Sequence, residues 1–182
     1  MRVFCAVYRL EPEDRFPAAL DDALVSYQYL LSKGYGPNQI LLCGESAGGG
    51  LCYALCLRLK QLKLPLPCGI IAISPWTDLT QSGATFDENR DNDPSLSKEL
   101  LDFYSACYTK EPKNPLCSPL FGDLRDLPPS LLFAGGDEIL LDDARRLHQK
   151  LLDAGCKSKL HIAPERWHAY VLYCLAENMQ DD

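Results

Sequence analysis

Residues 44–48 read Gly-Glu-Ser-Ala-Gly, a GxSxG pentapeptide, and two more glycines follow at Gly49 and Gly50. A short apolar run, 40–43, precedes it, and residues 51–62 repeat apolar side chains at helical spacing. A strand that turns sharply into a helix needs small residues on both sides of the turn, because side chains there would collide. Such a turn lifts the Ser46 hydroxyl above the sheet edge with its oxygen exposed. The helix start behind it offers backbone amides and the positive end of a dipole, so the Ala47 N–H is placed to stabilise an oxyanion. The chemistry this arrangement suits is acyl transfer through a serine nucleophile. The competing reading is a glycine-rich turn that binds phosphate or merely packs tightly, but phosphate loops carry their Lys or Ser/Thr elsewhere in the pattern.

A serine hydroxyl is a weak nucleophile until a base removes its proton, and the base must be oriented by a carboxylate. The chain has three histidines. His148 falls within a helical pattern and His161 within a strand pattern, the usual setting of a solvated or packed imidazole. His168 lies in a loop after the last strand pattern, in Pro-Glu-Arg-Trp-His-Ala-Tyr at 164–170, and is the expected base. The acid is expected after a neighbouring strand, and residues 131–134 run straight into Gly135-Gly136-Asp137-Glu138. Asp137 and Glu138 compete for that role, and the other is then a loop acid or a helix N-terminal charge. Gly48 and Trp76 are candidates for lining a substrate pocket, although an aromatic after a strand is more often ordinary packing.

The elements that must position these groups alternate. Residues 3–8, 40–43, 69–74, 131–134 and 158–162 read as strands, and 17–31, 51–62, 97–108 and 142–154 as helices. The wholly apolar run 40–43, without polar alternation, fits a buried strand of a parallel sheet, and the alternation of strand and helix calls for helices on both faces of that sheet, with functional loops at the carboxyl ends of the strands. Residues 75–115 are turn-rich and polar, an excursion from the sheet. At 182 residues the chain is expected to form one domain, 1–182.

Composition excludes several classes. The net charge of −7 repels phosphate backbones and anionic surfaces, so no nucleic acid partner is expected. No apolar run approaches the ~20 residues of a membrane span, and residues 1–10 lack the pattern of a signal peptide. The nine cysteines show no CxxC pair and are odd in number, which argues against a disulfide or metal framework and for core thiols in a reducing, cytoplasmic setting. No metal and no cofactor are expected.

With these residues in view, the sequence resembles the hormone-sensitive-lipase-like esterases of the α/β-hydrolase fold, including bacterial acetyl esterases and carboxylesterases. The match is carried by Tyr-Arg-Leu-Glu-Pro-Glu at 8–13, Phe-Pro-Ala-Ala-Leu-Asp-Asp at 16–22, the turn at 44–50, Ser-Pro-Trp-Thr-Asp-Leu at 74–79, Asp93-Pro94, Ser118-Pro119, Leu-Pro-Pro at 127–129 and Gly-Asp-Glu-Ile-Leu-Leu-Asp-Asp at 136–143. The order serine, acid, histidine is that of the fold. The resemblance implies hydrolysis of short-chain carboxylic esters through an acyl-enzyme on Ser46, with a small-molecule ester as partner. In the family the acid stands two residues before a leucine and four before an aspartate, which fits Glu138, Leu140 and Asp142. Counting from the preceding strand favours Asp137.

The departures from the family also carry expectations. The HGGG-type loop that supplies most of the family's oxyanion amides, the first strands of the sheet and the N-terminal cap are missing from the chain, and Val7 replaces an aspartate that commonly precedes the Tyr-Arg-Leu segment. The expected architecture is therefore a partial α/β-hydrolase fold. One oxyanion donor is worth about 3 kcal/mol of transition-state stabilisation, so a chain offering only the Ala47 amide is expected to be a poor enzyme. A sheet lacking a central strand exposes an apolar edge, a route to an oligomer. The alternative function is a non-catalytic remnant or ligand-binding module that keeps the fold.

Overall fold

The computed structural model of the chain describes residues 2–173. Helix α1, Ala18–Ser32, precedes strand β1, Leu41–Glu45, which turns directly into α2, Ala47–Gln61. Strand β2, Gly69–Ile73, is followed by the short α3, Thr85–Glu88, and by α4, Lys98–Tyr108, capped by the Ser97 side chain, which accepts from the Leu100 amide. Then come β3, Ser130–Gly135, α5, Leu141–Asp153, β4, Ser158–Ala163, and a last turn of helix, α6, Tyr170–Tyr173.

The four strands form one parallel sheet in the order β1-β2-β3-β4. When strand order follows chain order, right-handed crossovers place every connecting helix on the same side of the sheet. That is observed: Tyr53, Cys56 and Leu57 of α2 and Leu147 and Leu151 of α5 pack in one cluster with Ile70, Ala72 and Leu132. Helix α1 lies on α2 through Leu20 and Tyr27, which meet Ala54, Leu55 and Leu59, and the Tyr27 hydroxyl donates to the Pro65 carbonyl at 2.9 Å.

The opposite face differs. Strand side chains alternate, so the in-register row Cys43, Ile71, Leu131 and Lys159 and the row Glu45, Ile73, Phe133 and His161 point away from α2 and α5. Most of these residues are half-buried or exposed, and among the described residues no long helix covers them.

Residues 3–8 are not a strand. Residues 2–10 carry no regular structure, and Val3 and Val7 are 83% and 96% exposed. A β-segment is stable only against a hydrogen-bonded neighbour, and β1, the strand nearest in sequence, pairs with β2 alone. The segment is instead tied down by Arg9, whose backbone N–H and guanidinium both donate to Asp22 of α1. The cysteines also depart from expectation. Cys52, Cys56 and Cys117 are buried, but Cys5, Cys43 and Cys68 are exposed, Cys43 because it lies on the uncovered face. Cys174 falls outside the described residues.

Candidate active site

The elbow at Ser46 follows from packing that tolerates only small residues. A Cβ on Gly44 would sit 2.2 Å from the Gly48 carbonyl oxygen, and one on Gly50 would sit 2.1 Å from that of Trp76. The turn throws Ser46 to φ 52°, ψ −121°, a conformation costly for an L-residue with a side chain. It is held there from both sides: the Ser46 amide donates to the Ile73 carbonyl, and the Ser46 carbonyl accepts from the Trp76 amide, each at 2.9 Å. Helix α2 begins at Ala47, whose N–H belongs to the first helical turn and lacks an intrahelical acceptor.

The histidine loop is stitched to the ends of β2 and β3. Gly136 N–H donates to Ala163 O at 2.8 Å, Asp137 N–H to Arg166 O at 3.0 Å, and Ala169 N–H to the Ser74 hydroxyl oxygen at 2.9 Å. Gly135 is required here because a Cβ would lie 2.2 Å from the Arg166 carbonyl oxygen. Ser74 and Ala169 also adopt positive φ, 47° and 57°, so strained backbone concentrates around this edge of the sheet.

These loops bring His168 and Glu138 together. The imidazole Nδ1 is 3.2 Å from Glu138 Oε2, and the acid is fully buried. Burial raises the Glu138 pKa, opposed by the bonds to His168 and Ser74. Burial alone would lower the His168 pKa; its bonds to Glu138 and Glu45 outweigh that and carry it to about 9. Asp137 is not at the imidazole; its half-exposed side chain stays on the loop while its backbone amide holds the histidine segment. The far nitrogen of His168, Nε2, faces Glu45 Oε1 at 3.5 Å, and Glu45 is the residue before Ser46. Among the described residues, the Ser46 hydroxyl itself makes no hydrogen bond. Of the other histidines, His148 bonds the Ser158 hydroxyl at 2.8 Å, and His161 lies beside the Phe133 ring on the uncovered face.

The acid loop is fixed by groups that sequence reasoning did not single out. Asn89 donates from its amide to the carbonyls of Gly136 and Glu138, and the buried Asp93 accepts from the Ile139 amide at 2.9 Å. One oxygen of the fully buried Asp143 accepts from the amides of Thr77 and Asp78, at 2.7 and 2.8 Å. Asp93 and Asp143 stood in the sequence only within segments that carry the family resemblance; only tertiary contact reveals what each holds. Beside the elbow, a cavity of about 110 Å³ is lined by residues that include Ala47, Gly50, Trp76, Leu79, Tyr8 and Tyr108. Trp76 is buried in its wall and donates from the indole N–H to the Asp78 carbonyl. Gly48 faces the Tyr8 hydroxyl, 3.7 Å from where a Cβ would stand.

Comparison with known proteins gives the chain relatives of the same fold. The family model described as the alpha/beta hydrolase fold covers residues 1–172. An acetyl-hydrolase of Streptomyces hygroscopicus is 39% identical over 91% of this chain and 56% of its own length, and an esterase of Acinetobacter venetianus is 38% identical over 95% and 58%. Among solved structures, an esterase of the bacterial hormone-sensitive lipase family superposes with a TM-score of 0.88 at 42% identity, covering 90% of this chain and 56% of that one. A hormone-sensitive lipase from a metagenome library gives 0.90 at 37%, covering 94% and 60%. The chain thus spans somewhat over half the length of these relatives. With its parallel sheet, its strand-to-helix elbow and its match along nearly every described residue, the chain belongs to the α/β-hydrolase fold family and resembles the hormone-sensitive-lipase-type esterases within it.

Proposed function

We propose that this chain carries the catalytic triad of a serine carboxylic ester hydrolase, with Ser46 as nucleophile, His168 as general base and Glu138 as the acid that orients it. The observation that supports this reading best is the His168 imidazole, bonded through Nδ1 to a buried carboxylate while Nε2 reaches the residue next to Ser46. In that role Ser46 Oγ attacks the ester carbonyl and His168 Nε2 takes its proton. The Ala47 amide donates to the oxyanion, and the proton passes to the leaving alcohol as the acyl-enzyme forms. A second cycle with water in place of the alcohol frees Ser46. Glu138 rather than Asp137 fits the acid because only it touches the imidazole.

The cavity beside the elbow supports a short acyl group. The cavity is small, about 110 Å³, and lies against the start of α2. Ala47 and Gly50 of the first turn of α2 line it, and Trp76, Leu79 and Tyr108 give it apolar walls. Brief incubation with p-nitrophenyl acetate, acid quench and peptide mass mapping test the proposal. An acetyl group on Ser46, absent in Ser46→Ala, is the expected result. Nitrophenol release that is unchanged in Ser46→Ala overturns it, and a chain that is never acylated is the behaviour of a non-catalytic remnant.

A further inference from the structure

The carboxylate of Glu45 stands at the wrong nitrogen to be ignored. A serine general base must receive the nucleophile's proton on the nitrogen not held by the acid, here Nε2, and Glu45 Oε1 lies 3.5 Å from that nitrogen. Glu45 is the last residue of β1, and Ser46 follows it at the sharp turn into α2, so the carboxylate at Nε2 is carried by the residue next to the proposed nucleophile. Glu138 and Glu45 are not equivalent. Glu138 is wholly buried and fixed by the Asn89 and Asp93 contacts to its loop, whereas the Glu45 side chain is 41% exposed at the free edge of the sheet. A buried, clamped partner defines the orientation of the ring, and a half-solvated one can yield its place.

We propose that Glu45 is a positioning residue for His168, the resting partner of Nε2 that holds the imidazole over the elbow and competes with the Ser46 hydroxyl for the same nitrogen. This rests on the serine-hydrolase reading above. During acylation the Ser46 Oγ–H bond breaks as Oγ bonds to the carbonyl carbon, and the proton moves to Nε2. The imidazolium that results lies between two carboxylates, Glu138 on Nδ1 and Glu45 near Nε2, until the proton leaves with the alcohol. The same two carboxylates favour the protonated ring before substrate arrives, so Glu45 restrains the base near neutral pH while steadying the charged intermediate. Asp93, facing the Glu138 loop, acts on the ring only through Glu138, and Ser74 contributes a hydroxyl and no charge.

The test is an NMR titration of the imidazole resonances of the full chain, with the pH dependence of organophosphonate labelling at Ser46 measured alongside, in the parent, Glu45→Gln and Glu45→Asp. Loss of a carboxylate a few ångströms away moves a titration by about one pH unit or more, so Glu45→Gln is expected to lower the His168 midpoint and the labelling midpoint together by about that amount. Labelling at pH 7 then rises several-fold. Glu45→Asp, which keeps the charge on a shorter arm, falls between. A His168 midpoint in Glu45→Gln equal to the parent's overturns the proposal, even if Ser46 labels normally. A lowered His168 midpoint in a chain whose Ser46 never labels leaves the Glu45–His168 contact standing and overturns the hydrolase reading on which its role depends.

Discussion

Leu131 and Leu132 are neighbours in β3, yet they live in different environments. Leu132 is wholly buried among Tyr53, Cys56, Leu147 and Leu151, whereas Leu131 shares the uncovered face with Cys43, Ile71 and Lys159. The strand backbone, the residue type and the ladder are common to both. The difference lies in where the crossover helices go, since a sheet whose strand order follows chain order receives α2 and α5 on one side only. The site draws on both halves of this asymmetric platform. Its acid loop and histidine loop are anchored by bonds to Asn89, Asp93 and Ser74, while Glu45 ends β1, a strand with one free edge among the described residues, and the proposed nucleophile Ser46 follows it.

Truncating a leucine on each side of the sheet separates the two environments by the largest margin. Leu132→Ala removes a buried side chain from a packed cluster and is expected to cost about 2–5 kcal/mol in urea unfolding. Leu131→Ala should cost less than about 1 kcal/mol by the same measurement. Equal costs would show that something covers the second face in solution.

Next in size is Asp143→Ala, which strands the Thr77 and Asp78 amides in the interior. Each unsatisfied buried donor costs about 1–3 kcal/mol, so a loss of about 2–4 kcal/mol is expected in the same assay. A loss under about 1 kcal/mol would mean that the segment after β2 re-forms its bonds elsewhere.

The buried pairing of His168 with Glu138 makes stability depend on pH. His168 titrates near 9 in the folded chain against an ordinary 6.5. Its contribution is therefore fully present below about pH 6.5 and is lost as pH rises through about 9. Unfolding midpoints across that window should fall more steeply in the parent than in His168→Gln, and parallel curves would contradict the pairing.

The smallest effect is expected at the elbow. Ser46→Gly relieves the positive φ, and although glycine gives back part of the gain through chain entropy, about 0.5–1 kcal/mol of added stability remains. A destabilised Ser46→Gly would mean that the turn is not strained.

Much of this was legible in the sequence because it rests on local rules. The alternation of strands and helices, the glycines around Ser46 and the loop position of His168 all follow from periodicity and steric need. What failed was non-local. Residues 3–8 have strand composition, but a strand needs a hydrogen-bonded partner, and this segment forms no ladder with β1 or with another described strand. Helix α2 starts at Ala47 rather than at residue 51 because the glycines of the turn are themselves helical, despite their poor propensity. The order of the strands, which composition does not reveal, decides that α2 and α5 share one face of the sheet. The choice between Asp137 and Glu138 turned on one residue of loop length; the bond to Nδ1 is made by Glu138. Glu45 carried no signal beyond its place in the pentapeptide, since its contact comes from a loop far along the chain.

The account stands or falls on whether His168 activates Ser46. The most direct measurement is the rate at which an activated organophosphonate labels the chain, with the adduct located by peptide mass mapping, as a function of pH in the parent and in His168→Ala. The prediction is a single adduct on Ser46, formed faster as pH rises toward about 9, and slowed at least about 100-fold in His168→Ala. Label on another serine, or an equal rate without the imidazole, would contradict it.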